Sequence, residues 1–488
     1  MTVLLDTRAD ITLDAVRRVA WGGEGVRISD AALARIGVAR AAFMDMLDND
    51  PDAFVYGVSS GYGFMAKIRL DAAARRVHAN RPPSSLAAFG QALPERVTRG
   101  LVLARLANFI DGHAAVTPEL AVAVADMLDG RALPAVSMQG QGGAGEILSM
   151  GPLFYDLGCG FPLAEKESLS LINGSPSSAA LVADAALIAP RRLAVAYRVM
   201  ALSTEAFRAP MDAYDPVFDA LWGEPSEAVA LRELRRLLDG AGGGRRFYQA
   251  PVSYRILPRL FGLAERCVAE AARAATVSLS SVTDNPVFIA PTPEHPRGRA
   301  LSNGGYHNAM AWPALDGLAH VWAELCLVAD RHTSKMHEGP VSLLPDRLAD
   351  AAHPGVSTGI LGMVQVGYGE EARHAAQRSF TPQSEGGGYA QNDMAPPTFP
   401  AWDKERCAGR CLDASLAMLA IVAARALEVT DRAATPALAG FLAEVRVVFP
   451  PLVDHPPLGA DIGALADAFT AVATGDAGFG LSAMVADC

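Results

Sequence analysis

Apolar positions recur at three- and four-residue intervals along most of this chain, and that periodicity predicts helices. Ser29 is placed to cap a helix from Ala31 to Leu47, which ends at the turn-forming Asp48-Asn49-Asp50-Pro51. Pro94 to Gly112 and Pro118 to Leu128 read as two more, each with proline in the first turn. An alanine-rich helical stretch follows Ser175 and is expected to be interrupted at Pro190, and residues 213 to 238 read as two short helices. Trp312, Leu315, Leu318, Trp322, Leu325 and Ala329 share one helical face, as do Leu412, Leu416, Leu419, Ala423 and Leu427. Both faces predict core rather than ligand contacts. Alternation is confined to roughly the first 25 residues, weakly, as in a short hairpin or an extended arm. With so few strand signals and no internal repeat, the expected fold class is all-α: a bundle of long helices with a smaller, loop-rich N-terminal region. The expected division is 1–210 for the loop-rich part and 211–488 for the bundle.

Composition narrows the classes. Hydrophobic residues make up 51% and charged residues 19% of the 488, which predicts a large core and excludes global disorder. A net charge of -11 argues against a nucleic-acid partner. The N-terminus lacks the apolar segment of a secretory signal. No uninterrupted apolar run of about 18 residues predicts a membrane span. A cytoplasmic location, with no membrane partner, is the expectation. The six cysteines are scattered, and only Cys407 and Cys411 are close, at helical i,i+4 spacing. Without a nearby histidine or second cysteine pair they read as buried thiols rather than zinc ligands, so no metal is expected.

Two loops interrupt the helical pattern with unusual glycine density. The stretch Met138 to Gly151 holds Gly140, Gly142, Gly143 and Gly145, a cluster unsuited to a helix interior, where each glycine costs up to ~1 kcal/mol relative to alanine. Gly140, Gly142 and Gly145 spell the dinucleotide fingerprint. That motif needs a strand ahead of it and a βαβ unit around it, and the flanking pattern is helical. A plain glycine turn is the other local reading. Earlier in the chain, Tyr56-Gly57-Val58-Ser59-Ser60-Gly61-Tyr62-Gly63 forms a second polar, glycine-rich loop.

Together these loops resemble the histidine and phenylalanine ammonia-lyases. Gly142-Gly143-Ala144-Gly145-Glu146-Ile147 resembles the G-A-S-G-D-L segment of that family, and the Tyr56 octapeptide resembles Y-G-V-N-T-G-F-G. Further matches come in family order. Lys166 to Ser175 resembles K-E-G-L-A-L-I-N-G-T, Gln249 to Arg259 resembles Q-D-P-Y-S-L-R-C-x-P-Q, and Ser281 to Pro286 resembles S-x-T-D-N-P. Arg105 and Gly112 keep the spacing of R-x-N-x-x-x-x-G, with Asn108 one position late, and Gln391-Asn392-Asp393 resembles Q-E-D. The resemblance spans most of residues 50 to 430.

It implies a homotetramer whose active sites combine loops of several subunits, acting on a small carboxylate. It also implies roles: Tyr56 as acid/base, Asn173, Gln249 and Asn392 orienting the substrate, and Arg255 gripping its carboxylate through a bidentate fork. A tyrosine at its ordinary pKa of about 10 needs positive charge or hydrogen-bond donors nearby to act as base near neutrality. His307, in a loose match to G-N-F-H, reads as a proton shuttle or equally as a structural histidine.

The departures are concentrated in the deamination apparatus. In the family, Ala-Ser-Gly cyclises into a methylidene-imidazolone (MIO) electrophile, and losing the serine hydroxyl as water creates the methylidene. Gly143, Ala144 and Gly145 occupy those positions here, and Ala144 has no hydroxyl to lose, so no MIO cofactor is expected. Val252 stands where the family has a second catalytic tyrosine, Asn392 where it has glutamate, and Ser84-Ser85 where histidine readers have Ser-His. The leading expectation is an MIO-independent lyase-like enzyme on an amino-acid-derived carboxylate. It would eliminate an amine-type leaving group, or promote addition, isomerisation or cyclisation, with Tyr56 as acid/base. Family members resembling ergothionase, which release trimethylamine, make that divergence chemically reasonable. A non-catalytic binding protein and an engineered Ser-to-Ala variant of an MIO-dependent enzyme are the alternatives.

Overall fold

The computed structural model describes residues 2–475 except 51, 241–243, 351, 354, 385–391 and 455–456. Gln391, Cys488 and the middle of the glycine cluster after Asp239 therefore lie outside the described residues. Helix accounts for 61% and strand for 4%, which makes the fold all-α. The expected boundary at residue 210 divides the sequence. By packing, the chain divides into one unit of Met1–Leu187, Ala271–Leu315 and Ser379–Trp402, and another of Ile188–Glu270, Asp316–Arg378 and Asp403–Cys488.

In the first unit the strands Thr2–Leu5 and Gly25–Ile28 pair in parallel. The expected hairpin is not formed, because helical turns at Leu13–Val16 and Arg17–Trp21 fill the connection and return the chain in the same direction. Helix Asp30–Asn49 starts where its cap predicts, with Ser29 Oγ accepting from the Ala32 amide at 3.0 Å. Its buried face (Phe43, Met46, Leu47) packs with Val55, Val58, Ala115 and Phe288, and the Phe43 and Phe288 rings meet edge to face at 5.4 Å. Val55 and Val58 flank Tyr56, so this cluster anchors the first glycine loop. Helix Glu95–Leu106 stops six residues short of Gly112. Gly112 has φ +82°, and a Cβ there would collide with Ala39.

The longest helices, Pro176–Ala206, Leu257–Ser280, Ala311–His337 and Thr398–Glu428, each have residues in both units. Pro176–Ala206 runs unbroken through Pro190, contrary to the expected interruption. One missing amide there is outweighed by the burial of nearly every neighbouring side chain. Leu315, Leu318, Trp322, Leu325 and Ala329 are fully buried on helix Ala311–His337, as their spacing predicts. Trp322 Nε1 donates to Glu405 at 2.9 Å, and Arg192 forms a bidentate pair with Asp413 at 3.0 and 3.1 Å. Helix Thr398–Glu428 is long and apolar enough, by length and composition alone, to cross a membrane; 89% of its most apolar window is buried inside the fold.

Candidate active site

The Tyr56 loop is held in shape by its own serines. Ser59 Oγ accepts from the Val55 amide at 2.7 Å and donates to the Ala53 carbonyl at 2.9 Å, and Ser60 Oγ donates to the Gly61 carbonyl at 2.9 Å. These bonds satisfy backbone that no helix or sheet serves. Gly57 has φ +68°, and a Cβ there would lie 2.6 Å from Leu169. The tight turn brings Tyr56 back over its own loop, where its phenol oxygen accepts from the Gly63 amide at 3.1 Å. Tyr56 lines a cavity of about 210 Å³ within the first unit, together with Ala144, Gly145 and Asn173.

On another wall, Gly145 has φ +69°, and a Cβ there would sit 2.6 Å from Asn173 Oδ1. Glycine is what allows Asn173 to pack against the loop backbone. Asn173 is itself fixed on three sides. Its Nδ2 donates to the Asn285 carbonyl at 3.0 Å, its carbonyl accepts from Arg105 Nη1 at 2.5 Å, and the next amide, Gly174, donates to the Gly145 carbonyl at 3.2 Å. Ser384 Oγ donates to the Gly142 carbonyl at 2.8 Å, which ties Ser384 to the same loop. No dinucleotide unit surrounds these glycines: the chain continues as the turn Ala144–Glu146 into helix Ile147–Gly160.

Four buried charges adjoin this wall. Lys166 Nζ pairs with Asp284 Oδ2 at 2.5 Å, both side chains being fully buried, and Ser170 Oγ donates to the same oxygen at 3.1 Å. Burial pulls the lysine below its ordinary value, against the attraction of Asp284. Asn108 contributes here despite its offset in sequence, since its Oδ1 accepts from the Thr283 and Asp284 amides at 2.7 and 2.9 Å. Burial brings Arg105 down to about 10. Glu146, in left-handed backbone at φ +58°, turns its carboxylate onto the N-terminus of helix Pro176–Ala206. It accepts from the Ser177 amide at 2.6 Å and from the Ser178 amide and hydroxyl at 2.9 and 2.5 Å. Burial nevertheless pushes the carboxyl up to about 7, against those donors.

Of the residues singled out in the sequence, Tyr56, Ala144, Gly145, Asn173 and Asn392 line the one cavity. Gln249 and Arg255 belong to the other unit and are not among its lining residues; Arg255 Nε donates to the Ala250 carbonyl at 2.9 Å, and Val252 is exposed. His307 stacks edge-on with Trp312 at 5.3 Å, and its neighbour Tyr306 is the one that lines the cavity.

Sequence reasoning missed His78, Arg81 and Lys166, all cavity-lining. It looked for an imidazole at Ser85, and the short helix Ala72–Ala79 brings one from upstream instead. One ring nitrogen of His78 donates to the Gly57 carbonyl, and the ring lies 5.1 Å from that of Tyr62. Burial, reinforced by Arg81, holds His78 below its ordinary value, so it is a neutral base near neutrality.

With this geometry established, comparison with known proteins is informative. Residues 11–160 and 160–447 match the aromatic amino acid lyase family. The chain is 30% identical over 393 residues to histidine ammonia-lyase of Streptomyces coelicolor, covering 74% of this chain and 75% of that one. Its fold is similar to the crystal structure of the ergothioneine-degrading enzyme ergothionase from Treponema denticola (TM-score 0.85, 18% identity, 97% and 99% of the two chains). It is also similar to histidine ammonia-lyase from Trypanosoma cruzi (TM-score 0.81, 21% identity, 98% and 95%).

Proposed function

This chain belongs to the aromatic amino acid lyase family, and we propose that it carries out lyase-type chemistry without the MIO electrophile, on a carboxylate derived from an amino acid. The observation that carries the reading is Ala144, which lines the same cavity as Tyr56 and Asn173. The residues present do not fit the MIO group, because its methylidene forms when a side-chain hydroxyl leaves as water, and the tripeptide 143–145 has no such oxygen. Ammonia is a poor leaving group without that electrophile. The substrate therefore carries a better one, of the amine type released by quaternary betaines, or an unsaturation that accepts addition, isomerisation or ring closure.

In the elimination, Tyr56 takes the proton from the carbon beside the one bearing nitrogen. The C–H electron pair becomes the new C=C bond, and the C–N pair departs with the amine. The Gly63 amide donates to the tyrosine oxygen and holds the phenol in place over the cavity. Neutral His78, held by the Gly57 carbonyl, supplies the second acid/base group that Val252 cannot. Asn173 orients the substrate from the opposite wall. Gln249 and Arg255 reach the site from neighbouring subunits of a homotetramer, where Arg255 takes the carboxylate.

The test offers the purified chain phenylalanine, tyrosine and histidine alongside their Nα-trimethyl betaines, following the unsaturated acid by ultraviolet absorbance and the released amine separately. Turnover is expected from a betaine and not from the free amino acids. Tyr56→Phe should reduce it by about 10²–10⁴-fold with ligand affinity little changed. Ammonia release from a free amino acid at lyase-like speed refutes the reading, as does undiminished turnover by Tyr56→Phe. Mixing inactive Tyr56→Phe and Arg255→Ala chains should restore partial activity if subunits share sites; no recovery in a mixed oligomer removes Arg255 from the assignment.

A further inference from the structure

Away from the cavity, in the second unit, two helices bring together a donor set that the mechanism does not use. Cys407 and Cys411 lie on helix Thr398–Glu428, and Glu371 lies on helix Leu361–Ala375. Four-residue spacing puts both sulfurs on one helical face, a turn apart. Glu371 meets them from the packed helix, with its Oε1 3.3 Å from Cys407 Sγ. One ligand atom from each of the three residues lies within 4.8 Å of the other two. The sequence reading set the thiols aside for want of a third donor nearby, and the fold supplies one 36 residues upstream.

We propose that Glu371, Cys407 and Cys411 form a binding site for a divalent d¹⁰ metal ion of the zinc class. Tetrahedral zinc with bonds of about 2.3 Å to sulfur and about 2.0–2.2 Å to oxygen spaces its ligands roughly 3.5–3.8 Å apart. The observed sulfur–oxygen distance needs only a small adjustment to reach that edge. Two thiolates and one carboxylate favour zinc or cadmium over magnesium or calcium, which prefer all-oxygen shells. Cys411 is 2% exposed while Glu371 is at the surface, so the fourth position opens to solvent and takes water.

Without the ion, the cluster is a thiol–carboxylate hydrogen bond. Burial and the neighbouring carboxylate raise both thiols above their ordinary value, while Arg410 and the Cys411 thiol pull Cys407 the other way. Binding displaces the two thiol protons to solvent and leaves two metal–sulfur bonds and one metal–oxygen bond. The resulting net charge of minus one on the cluster is partly offset by Arg410. The ion would clamp the two helices together and stabilise the folded chain in proportion to its affinity.

The test uses the tag-free full-length chain, reduced and stripped with chelator, then titrated with Cd²⁺ and competed with Zn²⁺. Expected is a thiolate-to-cadmium absorption band that saturates at one ion per chain and yields to Zn²⁺. Cys407→Ser and Cys411→Ser should each remove the band. Glu371→Gln, a surface change that leaves folding intact, should weaken binding by no less than the roughly 10–100-fold typical of losing an outer-sphere partner. A band absent at several equivalents overturns the site, as does an equal band in Cys411→Ser. Unchanged affinity in Glu371→Gln overturns the three-ligand assignment.

Discussion

Lys166→Met would strand Asp284 as a buried carboxylate without its cation. Lys166 and Asp284 are both fully buried, and their contact of 2.5 Å is the shortest link between the Asn173 segment and the 283–286 turn behind the cavity. Removing one member of such a pair costs about 3–5 kcal/mol, because the remaining charge keeps its desolvation penalty and loses its compensation. Among the described residues, Asp284 Oδ2 would keep only the Ser170 hydroxyl, and Oδ1 has no hydrogen-bond partner to begin with. Buried Arg105 attracts the same carboxylate and offsets part of the loss, which puts the expectation at the lower end, about 3 kcal/mol. With an unfolding entropy of roughly 2.1 cal/mol/K per residue over 488 residues, this shifts a cooperative melt by about 3 °C, and by more if only the first unit melts. Differential scanning calorimetry at fixed scan rate measures it. The double variant Lys166→Met with Asp284→Leu should recover most of the loss, since replacing both partners of a buried pair by apolar groups is often neutral. A Lys166→Met melt within about 1 °C of the parent would mean that water reaches Asp284, and would refute the buried-pair argument.

Glu146→Gln tests a second buried charge through pH. The folded carboxyl sits at about 7 against an ordinary 4.5, so between these values the folded state holds a proton that the unfolded chain has lost. Stability from this group is therefore fully present below about 4.5 and lost as pH rises through 7, a change of about 3 kcal/mol. Urea midpoints at pH 5 and 7.5 should converge in the glutamine variant relative to the parent; an identical pH dependence in both would put the carboxyl near its ordinary value. Ala144→Ser should release no ammonia from histidine, phenylalanine or tyrosine, because Val252, Asn392 and Ser85 would still lack the family's groups. Lyase-like ammonia release in an enzymatic assay would instead mark Ala144 as the sole lesion in an otherwise intact deaminase.

What could be read from the sequence was local. Glycine density announced both loops, because positive φ and close backbone approach restrict those positions to glycine: Gly57 against Leu169, Gly145 against Asn173. Helical periodicity located the core faces of residues 315–329 and 412–427, with Trp312 only half-buried at the start of the first, since a 3.6-residue repeat is visible within one segment. A methyl group at residue 144 needed no coordinates to be recognised. Three-dimensional packing decided the rest. The N-terminal strands pair in parallel because intervening helical turns bring the chain back to run in the same direction, and Pro190 sits inside a helix whose burial outweighs one lost hydrogen bond. His78 enters the cavity, Lys166 finds Asp284 across 118 residues, and Glu371 meets Cys407 on a neighbouring helix. Side-chain chemistry and backbone restriction are properties of single residues and short segments, and so are written in the order of amino acids. Proximity between distant segments is settled by how whole faces pack, and only the folded chain contains it.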